Sequence, residues 1–404
     1  SGRSLKIQSA TSLSSRAVRR LLRLAFYTLF GVFYTLLASY TLLSAASHRQ
    51  DSSSRTMPGV YVCLDASDGS VEREVLAACG CDVRMLGATS AAQLRDGDLE
   101  AADVVAVWHT IEVDAALLRR LKRCRLVVRM GVGYDNVDVA AAGALGIAVA
   151  NIPDYGTEEV ADSALALLLG LFRGTLEGAA LGARDVEVRG ADGIAAAVPY
   201  VRRVRGATLG LLGLGRIGSA VAARAKACGF DVVFYDPHVA DGYDKALGVR
   251  RADSLEALLA QSQGLSVHCN CAPRGAPPGA VAASAPERYL DAAALALLPR
   301  GALVVNTARG ELVDEAALAA ALRDGRVGAA ALDVHAAEPY RAAASPLGAA
   351  PNCFHAPHSA WYSPESRREM REKGAAAALR EIARAGPPRH VVNSRWLARG
   401  ASLA

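Results

Sequence analysis

Residues 209–218, Leu-Gly-Leu-Leu-Gly-Leu-Gly-Arg-Ile-Gly, decide the fold. The apolar residues Leu209–Leu212 predict a buried strand, and the glycines Gly213, Gly215 and Gly218 follow it directly. In this arrangement the first glycine permits a tight turn, the second lets a pyrophosphate approach the backbone, and the third lets the next helix pack closely on the strand. The free N–H groups at the start of that helix then bind the anion. The stretch therefore predicts a dinucleotide-binding α/β domain.

A second strand is predicted close behind the glycine-rich loop. We expect Ser219–Cys228 to form the helix after the loop, and Asp231–Tyr235 to form a strand that ends in Asp236. A carboxylate in this place can accept hydrogen bonds from the adenosine ribose hydroxyls, and its charge would repel a 2′-phosphate. The sequence therefore favours NAD over NADP as the cofactor.

From Met57 onwards, the chain alternates between short β-branched runs and stretches with helical spacing. Val60–Leu64 is an example of a predicted strand, and Val160–Phe172 is a predicted long apolar helix. Such alternation is typical of a parallel sheet whose strands are connected by helices. Residues 190–206 and 272–286 are predicted to be loops, the first with a solvated cluster of arginines.

Three polar residues follow predicted strands in the last third of the chain. Arg309 lies at the end of the run Ala302–Gly310, Glu338 lies in the loop after the next strand, and His358 follows the last one. Because open α/β sheets bind ligands at the carboxyl ends of their strands, we expect all three beside the cofactor. Taken singly, each also fits an ordinary structural role: a salt bridge, a solvated carboxylate and a helix cap.

The composition excludes several classes of protein. The 404 residues are 52% hydrophobic and 21% charged, which excludes a mainly disordered or disulfide-stapled chain. The positive charge is concentrated before Met57, where eight Lys or Arg against one Asp give +7. Since the whole chain carries +5, the remaining residues carry −2. A body without net positive charge is not expected to bind nucleic acid directly. The eight cysteines form no C-x-x-C pair, so we interpret them as reduced and expect neither a metal site nor a disulfide framework.

Residues 1–56 have four interpretations. Residues 24–47 contain no charged side chain and follow several arginines, which predicts a membrane anchor. The absence of acids before Asp51 fits an organelle transit peptide, and small residues near the end of the apolar run fit a cleaved signal peptide. Because Met57 stands directly before the first predicted strand, the extension also fits an artefact of the gene model.

Six further stretches of the chain form a recognisable set of motifs: Met130-Gly-Val-Gly-Tyr-Asp-Asn136, Trp108-His-Thr-Ile111, Glu158-Glu-Val-Ala-Asp-Ser163, Phe234-Tyr-Asp-Pro237, Leu332-Asp-Val-His335 and Pro357-His-Ser-Ala-Trp-Tyr362. In these motifs the chain resembles the D-isomer-specific 2-hydroxyacid dehydrogenase family over about residues 58–395, and most of all its C-terminal-binding protein branch of NAD-dependent transcriptional corepressors. Two features depart from the resemblance. The loop after Cys269 is longer than the family's connection, and Val132 and Val160 stand where animal corepressors commonly carry hydroxyl residues.

The resemblance implies roles for individual residues. Arg309, helped by Arg129 and the backbone around Gly131, would hold a substrate carboxylate. His358 would exchange a proton with the substrate's carbonyl oxygen, and Glu338 would keep its imidazole protonated. An apolar wall for the substrate would come from Trp361. The residues implied to contact NAD are Gly213, Gly215, Arg216, Ile217, Gly218, Asp236, Cys269, Thr307, Ala308 and Asp333.

The resemblance also implies the architecture and the activity. We expect an α/β protein with two Rossmann-like, doubly wound parallel-sheet domains, in which an NAD-binding domain at 162–355 is inserted into a substrate domain at 58–161 and 356–395, with a tail at 396–404. The expected function is hydride transfer between NADH and a 2-keto acid by a homodimer. The alternative is an NAD-sensing corepressor scaffold that binds Pro-x-Asp-Leu-Ser peptides of transcription factors. The nucleus and cytoplasm are the expected locations, or a membrane or organelle if residues 1–56 direct the chain there.

Overall fold

The computed structural model describes residues 58–184, 186–270 and 288–397. The predictions for residues 1–56 and for the loop 272–286 lie outside these described residues. Among the described residues, no single helix has the length and apolar character to span a membrane, and the one helix pair that passes together is bent by 74°.

The first part of the described chain forms a five-stranded parallel sheet in the order β2-β1-β3-β4-β5. Every residue of four of its strands is buried, which explains why they read as continuous apolar runs rather than as alternating ones. The exception is β2 at the sheet edge, whose residues are exposed or half-buried. The strands are β1 (Val60–Cys63), β2 (Asp82–Met85), β3 (Val104–Val107), β4 (Leu126–Arg129) and β5 (Ala148–Asn151), and the helices between them are α1 (Ser70–Leu76), α2 (Asp96–Ala101), α3 (Ala115–Arg120) and α4 (Val139–Ala144).

Three helices, α5 (Thr157–Arg173), α6 (Thr175–Ala183) and α7 (Gly190–Ala197), connect the two sheets. The prediction of a long apolar helix here is confirmed, and its buried side packs under the second sheet. The prediction of a loop over 190–206 is wrong for its first half, because the alanine-rich run up to residue 197 has high helix propensity. The arginine cluster is not wholly solvated either, since the Arg202 guanidinium donates a hydrogen bond of 2.8 Å to the carbonyl of Gly301.

The second sheet has seven parallel strands in the order β12-β11-β10-β9-β6-β7-β8. The strand order changes direction between β6 and β9, and at such a point the connections diverge to leave a crevice at the carboxyl ends of the strands. The strands are β6 (Thr208–Leu212), β7 (Asp231–Tyr235), β8 (Arg250–Arg251), β9 (Gly264–Val267), β10 (Ala302–Asn306), β11 (Val327–Leu332) and β12 (Cys353–His355), and the helices are α8 (Arg216–Cys228), α9 (Tyr243–Leu247), α10 (Leu255–Gln261), α11 (Ala292–Leu297) and α12 (Glu315–Arg323).

The chain then returns to the smaller sheet through α13 (Pro364–Ile382). The helix begins with a capping box at Ser363. Its Arg371 forms a buried ion pair with Glu72 of α1, with Nη2 at 2.5 Å from Oε2. Further along, Asn393 accepts a hydrogen bond from the backbone N–H of Val149 at 2.8 Å. The predicted fold of two doubly wound parallel sheets is confirmed, while the domain boundaries stay predictions.

Candidate functional site

A cleft of about 820 Å³ lies at the carboxyl ends of strands from both sheets. This volume includes space open to solvent, and concave sites with a few convergent polar groups are where proteins bind small molecules. Most of its lining residues follow a strand directly, so the parallel topology itself brings them together. They are Trp108, His109, Arg129, Met130, Val132, Gly133, Tyr155, Val160, Ile217, His268, Cys269, Asn270, Thr307, Ala308, Arg309, Asp333, His358, Ala360, Trp361 and Met370.

The glycine-rich loop joins β6 to α8 and has the geometry that a pyrophosphate site requires. Gly213 has φ 94°, which favours glycine, and a Cβ there would lie 2.8 Å from the carbonyl of His268. A Cβ on Gly218 would overlap the Gly213 carbonyl oxygen, whereas the Cβ direction of Gly215 is open space. The helix begins at Arg216, three residues earlier than predicted, so the exposed Arg216 and the last motif glycine lie in its first turn.

Asp236 lies at the carboxyl end of β7, as predicted. Its carboxylate accepts hydrogen bonds of 2.9 Å from the backbone N–H groups of Leu214 and His238, which fixes it beside the glycine-rich loop. On the far side of the cleft, the buried hydroxyl of Thr307 has no hydrogen-bond partner among the described residues. Buried polar groups in proteins are normally satisfied. These features fit a dinucleotide that lies across the switch point of the sheet.

The remaining predicted cofactor residues lie on the same rim. Ile217, Cys269, Thr307 and Ala308 line the cleft directly. Asp333 also lines it, but its carboxylate accepts the backbone N–H groups of Ser359 and Ala360 at 2.9 Å each, and its carbonyl accepts the N–H of His358 at 2.8 Å. Asp333 therefore fixes the loop that carries the catalytic candidate His358, a contact the sequence did not reveal.

Arg309 follows β10 and crosses to the loop after β4. Its Nε donates to Oδ1 of Asp135 at 2.9 Å, and a Cβ on Gly133 would overlap its guanidinium. Burial alone would raise the pKa of Asp135, but the charge of Arg309 outweighs it and the pKa is lowered. The ion pair joins residues 174 positions apart and was not predicted from the sequence.

Arg129, at the end of β4, is the second guanidinium of the cleft. It is 8% exposed, and its Nη1 donates to the carbonyl of Met130 at 3.0 Å. A Cβ on Gly131 would overlap this guanidinium, which explains the glycine. Burial, followed by the charge of Arg309, lowers the pKa of Arg129 to about 10, so it stays charged at neutral pH. Among the described residues no carboxylate pairs with it. The charges of Asp135 and Asp65 favour the charged form, but burial outweighs them, so an anion bound here would stabilise a costly buried charge.

Glu338 and His358 form the pair that the sequence predicted. Oε2 of Glu338 lies 2.7 Å from Nδ1 of His358, and Oε1 accepts the backbone N–H of His335 at 3.0 Å. Burial raises the pKa of Glu338, but the hydrogen bond and charge of His358 outweigh it, so the pKa is lowered. An ionised carboxylate only accepts hydrogen bonds, so Nδ1 of His358 carries a proton and Nε2 is the nitrogen left for a ligand. His358 lines the cleft, whereas Glu338 contacts His358 from outside the cleft lining.

Aromatic side chains form one wall of the cleft around Trp361. Its ring meets Trp108 edge-on at 6.2 Å and Tyr155 at 5.9 Å between centroids, and its Nε1 donates to the carbonyl of His358 at 3.0 Å. The ring of His109 lies 6.1 Å from that of His358, and burial lowers the pKa of His109. Of these residues, only Trp361 was predicted to form the wall. Trp108 and His109 belong to a motif of the resemblance, but no role in the site was predicted for them.

Three further rings pack behind the Glu338 and His358 pair. Nε2 of His335 lies 3.0 Å from Nδ1 of His355, and the Tyr340 hydroxyl lies 3.1 Å from Nε2 of His355. Tyr340 stacks on both imidazoles, with centroids at 4.1 and 4.3 Å. Burial lowers the pKa of His355 to about 4. His335 and Tyr340 lie on either side of Glu338 in the sequence, and their contacts with His355 attach the loop that carries Glu338 to β12.

Residues 165–360 match the family description "D-isomer specific 2-hydroxyacid dehydrogenase, NAD binding domain". This part of the chain belongs to the D-isomer-specific 2-hydroxyacid dehydrogenase family. The matched range contains the glycine-rich loop, Asp236, Arg309, Glu338 and His358. The resemblance predicted from the sequence is therefore confirmed, and residues of the matched NAD-binding domain line the cleft.

Curated relatives and solved structures agree with this assignment. The chain is 36% identical to C-terminal-binding protein 1 of Caenorhabditis elegans over 342 residues, which cover 84% of this chain and 45% of the relative. It is 41% identical to D-3-phosphoglycerate dehydrogenase of Mycobacterium leprae (strain TN) over 239 residues, which cover 59% of this chain and 42% of the relative. The chain thus spans less than half the length of these two relatives.

Among solved structures, the TT0316 protein from Thermus thermophilus superposes with a TM-score of 0.68 at 31% identity. The superposition covers 82% of this chain and 99% of that one. Because the superposition covers nearly the whole of the TT0316 chain, the similarity extends to both sheets of the present protein and not to the NAD-binding domain alone.

Proposed function

We propose that this protein is an NAD-dependent oxidoreductase that reduces a 2-keto acid to the 2-hydroxy acid and catalyses the reverse reaction. The observation that carries the proposal is the pairing of His358 with Glu338 in a cleft that also holds two guanidinium groups and borders a pyrophosphate-binding loop. NADH, when bound, supplies a hydride to the carbonyl carbon of the substrate.

The two arginines account for binding and orientation of the substrate. Arg129 is buried without a carboxylate partner among the described residues, so a substrate carboxylate would supply its counter-ion. Arg309 forms an ion pair with Asp135, and its guanidinium lies against Gly133 in the loop that follows β4. Together they would fix the keto acid at its carboxylate end and polarise the adjoining carbonyl, which converts binding energy into orientation.

His358 accounts for the proton. With Nδ1 hydrogen-bonded to Glu338, the Nε2–H of the imidazolium would donate to the carbonyl oxygen as negative charge develops there. Glu338 stabilises that cation, because its own lowered pKa keeps it ionised. In the reverse direction Nε2 accepts the proton of the hydroxyl. The aromatic wall around Trp361 would exclude water and contact the substrate's side chain.

The test uses two histidines with the same unusual backbone. His358 and His390 both have positive φ, 55° and 58°, a conformation that Asn tolerates well. We expect His358→Asn to lower kcat for NADH oxidation with 2-keto acids by about 10²- to 10⁴-fold, and the exposed control His390→Asn to leave it unchanged. NADH binding, measured by fluorescence, should persist in both. Full turnover in His358→Asn, or absence of NADH binding to the wild-type chain, would refute the proposal.

We further propose a corepressor role, which the 36% identity to C-terminal-binding protein 1 supports. The edge strand β2 has exposed and half-buried residues, and such an edge could pair with an extended Pro-x-Asp-Leu-Ser peptide. Fluorescence anisotropy of such a peptide, with and without NADH and against a scrambled peptide, tests this role. Equal affinity for both peptides would exclude it.

Two properties accompany these proposals. We propose a homodimer that forms through the NAD-binding domain, and a location in the nucleus and cytoplasm. Light scattering of the purified full chain should give twice the monomer mass. Imaging of the tagged full chain should show nuclear signal, and exclusive membrane or organelle signal would contradict that location.

A further inference from the structure

Cys79 and Cys81 lie together at a tight turn, remote in the chain from the cleft residues. Cys79 ends a 3₁₀ turn after α1, and Cys81 directly precedes β2 at the edge of the smaller sheet. Gly80 between them is left-handed, with φ 63°, and no atom lies within 4 Å of where its Cβ would be. This glycine turns the chain back, so that the two thiols come close enough to influence each other's ionisation.

The two thiols are chemically unequal. The Sγ of Cys79 donates to the carbonyl of Leu76 at 3.1 Å, and that of Cys81 to the carbonyl of Asp82 at 3.6 Å. The neighbouring Cys81 thiol lowers the pKa of Cys79 to about 7, whereas the interaction with Cys79, followed by burial, raises the pKa of Cys81. Cys79 is therefore the nucleophile of the pair, and Cys81 is the second thiol on the other side of Gly80.

Other cysteines of the chain show what distinguishes this pair. Cys63 and Cys124 are buried, and burial raises the pKa of each to about 12. Cys353 is half-buried, and its pKa is also raised to about 12 by burial. Such thiols are unreactive at neutral pH. The turn at 79–81 combines partial exposure, a neighbouring thiol and a flexible central glycine.

We propose that Cys79 and Cys81 form a thiol–disulfide exchange site that reacts with small disulfides and closes reversibly to a Cys79–Cys81 disulfide. The Cys79 thiolate attacks one sulfur of the reagent, its Sγ bonds to that sulfur, and the other reagent sulfur leaves as a thiolate. Cys81 then gives up its proton to solvent and attacks Cys79 Sγ, which expels the second reagent thiolate. The protein loses two electrons, and the reagent disulfide gains them.

The short ring determines how such a disulfide would behave. Two cysteines separated by one residue satisfy the usual disulfide torsions only with strain, and a strained disulfide is reduced more easily than a structural one. Glycine at the centre lowers that cost, because it permits backbone angles closed to other residues. The site therefore has the properties of a reversible thiol switch rather than of a structural cross-link.

The experiment uses the full chain with oxidised glutathione, intact mass and peptide mapping, in a Cys228→Ser background that removes an exposed, solitary cysteine. In that background we expect loss of both thiols at 79 and 81, with a mass decrease of two hydrogens and no lasting adduct. With Cys81→Ser added, the first step has no resolving thiol, so a glutathione adduct should accumulate on Cys79. Dithiothreitol should reverse both products.

Two results would overturn the proposal. One is a stable glutathione adduct on Cys79 with Cys81 still present, which would show that the ring does not close. The other is equal modification of residue 81 in Cys79→Ser and in its parent, which would show that Cys79 is not the nucleophile. Neither result depends on NADH turnover, so the outcome is independent of the proposed enzymatic function.

Discussion

Replacing Glu338 by Gln should inactivate His358 through the orientation of one amide. In the structure, Oε1 accepts the backbone N–H of His335 at 3.0 Å, and Oε2 faces Nδ1 of His358 at 2.7 Å. An amide nitrogen cannot accept a hydrogen bond, so the His335 N–H should hold the oxygen of the substituted amide. The NH₂ group would then point at Nδ1 of His358 and require that nitrogen to be an unprotonated acceptor.

The size of the effect follows from what this reversal removes. A charge-assisted hydrogen bond contributes roughly 1.5–3 kcal/mol, which corresponds to about 10- to 150-fold in rate. The imidazolium form would also face the amide N–H, which opposes the protonated state. We therefore expect kcat to fall by about 10²- to 10⁴-fold, the whole contribution of general acid–base catalysis, with NADH affinity unchanged.

The assay is steady-state NADH oxidation with a 2-keto acid that the wild-type enzyme turns over, with NADH affinity measured separately by fluorescence. The matched control is Glu365→Gln, an exposed carboxylate in the first turn of α13. A Glu338→Gln enzyme with kcat within a factor of about three of the wild type, well below the expected range, would refute the reasoning about the amide.

Three further predictions concern binding and stability. Gly218→Ala should abolish NADH binding in a fluorescence titration, since its Cβ would overlap the Gly213 carbonyl oxygen; binding at wild-type affinity would contradict this geometry. The folded-state pKa of His355 is about 4, below the ordinary value near 6.5, so the unfolded chain binds the proton more readily. Urea unfolding should show stability falling by about 1–2 kcal/mol from this partly buried, solvent-screened group between pH 6.5 and 4, with a smaller fall in His355→Leu. Glu72→Gln should destabilise the fold by about 1.5–3 kcal/mol, because the buried Arg371 would lose its charge-assisted hydrogen bonds to Glu72 and keep only its ion pair with Asp68; a loss below about 1 kcal/mol, typical of a surface pair, would contradict that.

The cofactor half of the site could be predicted from the sequence because its determinants are local. The strand Thr208–Leu212, the three glycines and Asp236 lie within about one βαβ unit. Their spacing alone therefore specifies both the turn and the place of the carboxylate. The start of α8 was misplaced by three residues, because Gly218 and its neighbours have low helix propensity and the first turn forms through packing against β6.

The substrate half could be predicted only in part, because its contacts are long-range. Arg309, Glu338 and His358 follow strands and were visible as polar residues in the right places, but the partner of Arg309 is Asp135, 174 residues earlier. Likewise, Trp108 and Tyr155 join Trp361 only when the two sheets meet. Neither periodicity nor spacing within one segment encodes these pairs.

The two arginines explain why the site should select a keto acid over a neutral ketone. Arg309 has its carboxylate partner in Asp135, whereas the hydrogen bonds of Arg129 within the described chain go to neutral oxygens. Burial has already lowered the pKa of Arg129 to about 10, which is still too high for the group to discharge at neutral pH. A neutral ketone would bury this charge further without compensation, whereas a keto acid would neutralise it. This buried charge would therefore make the site selective for keto acids.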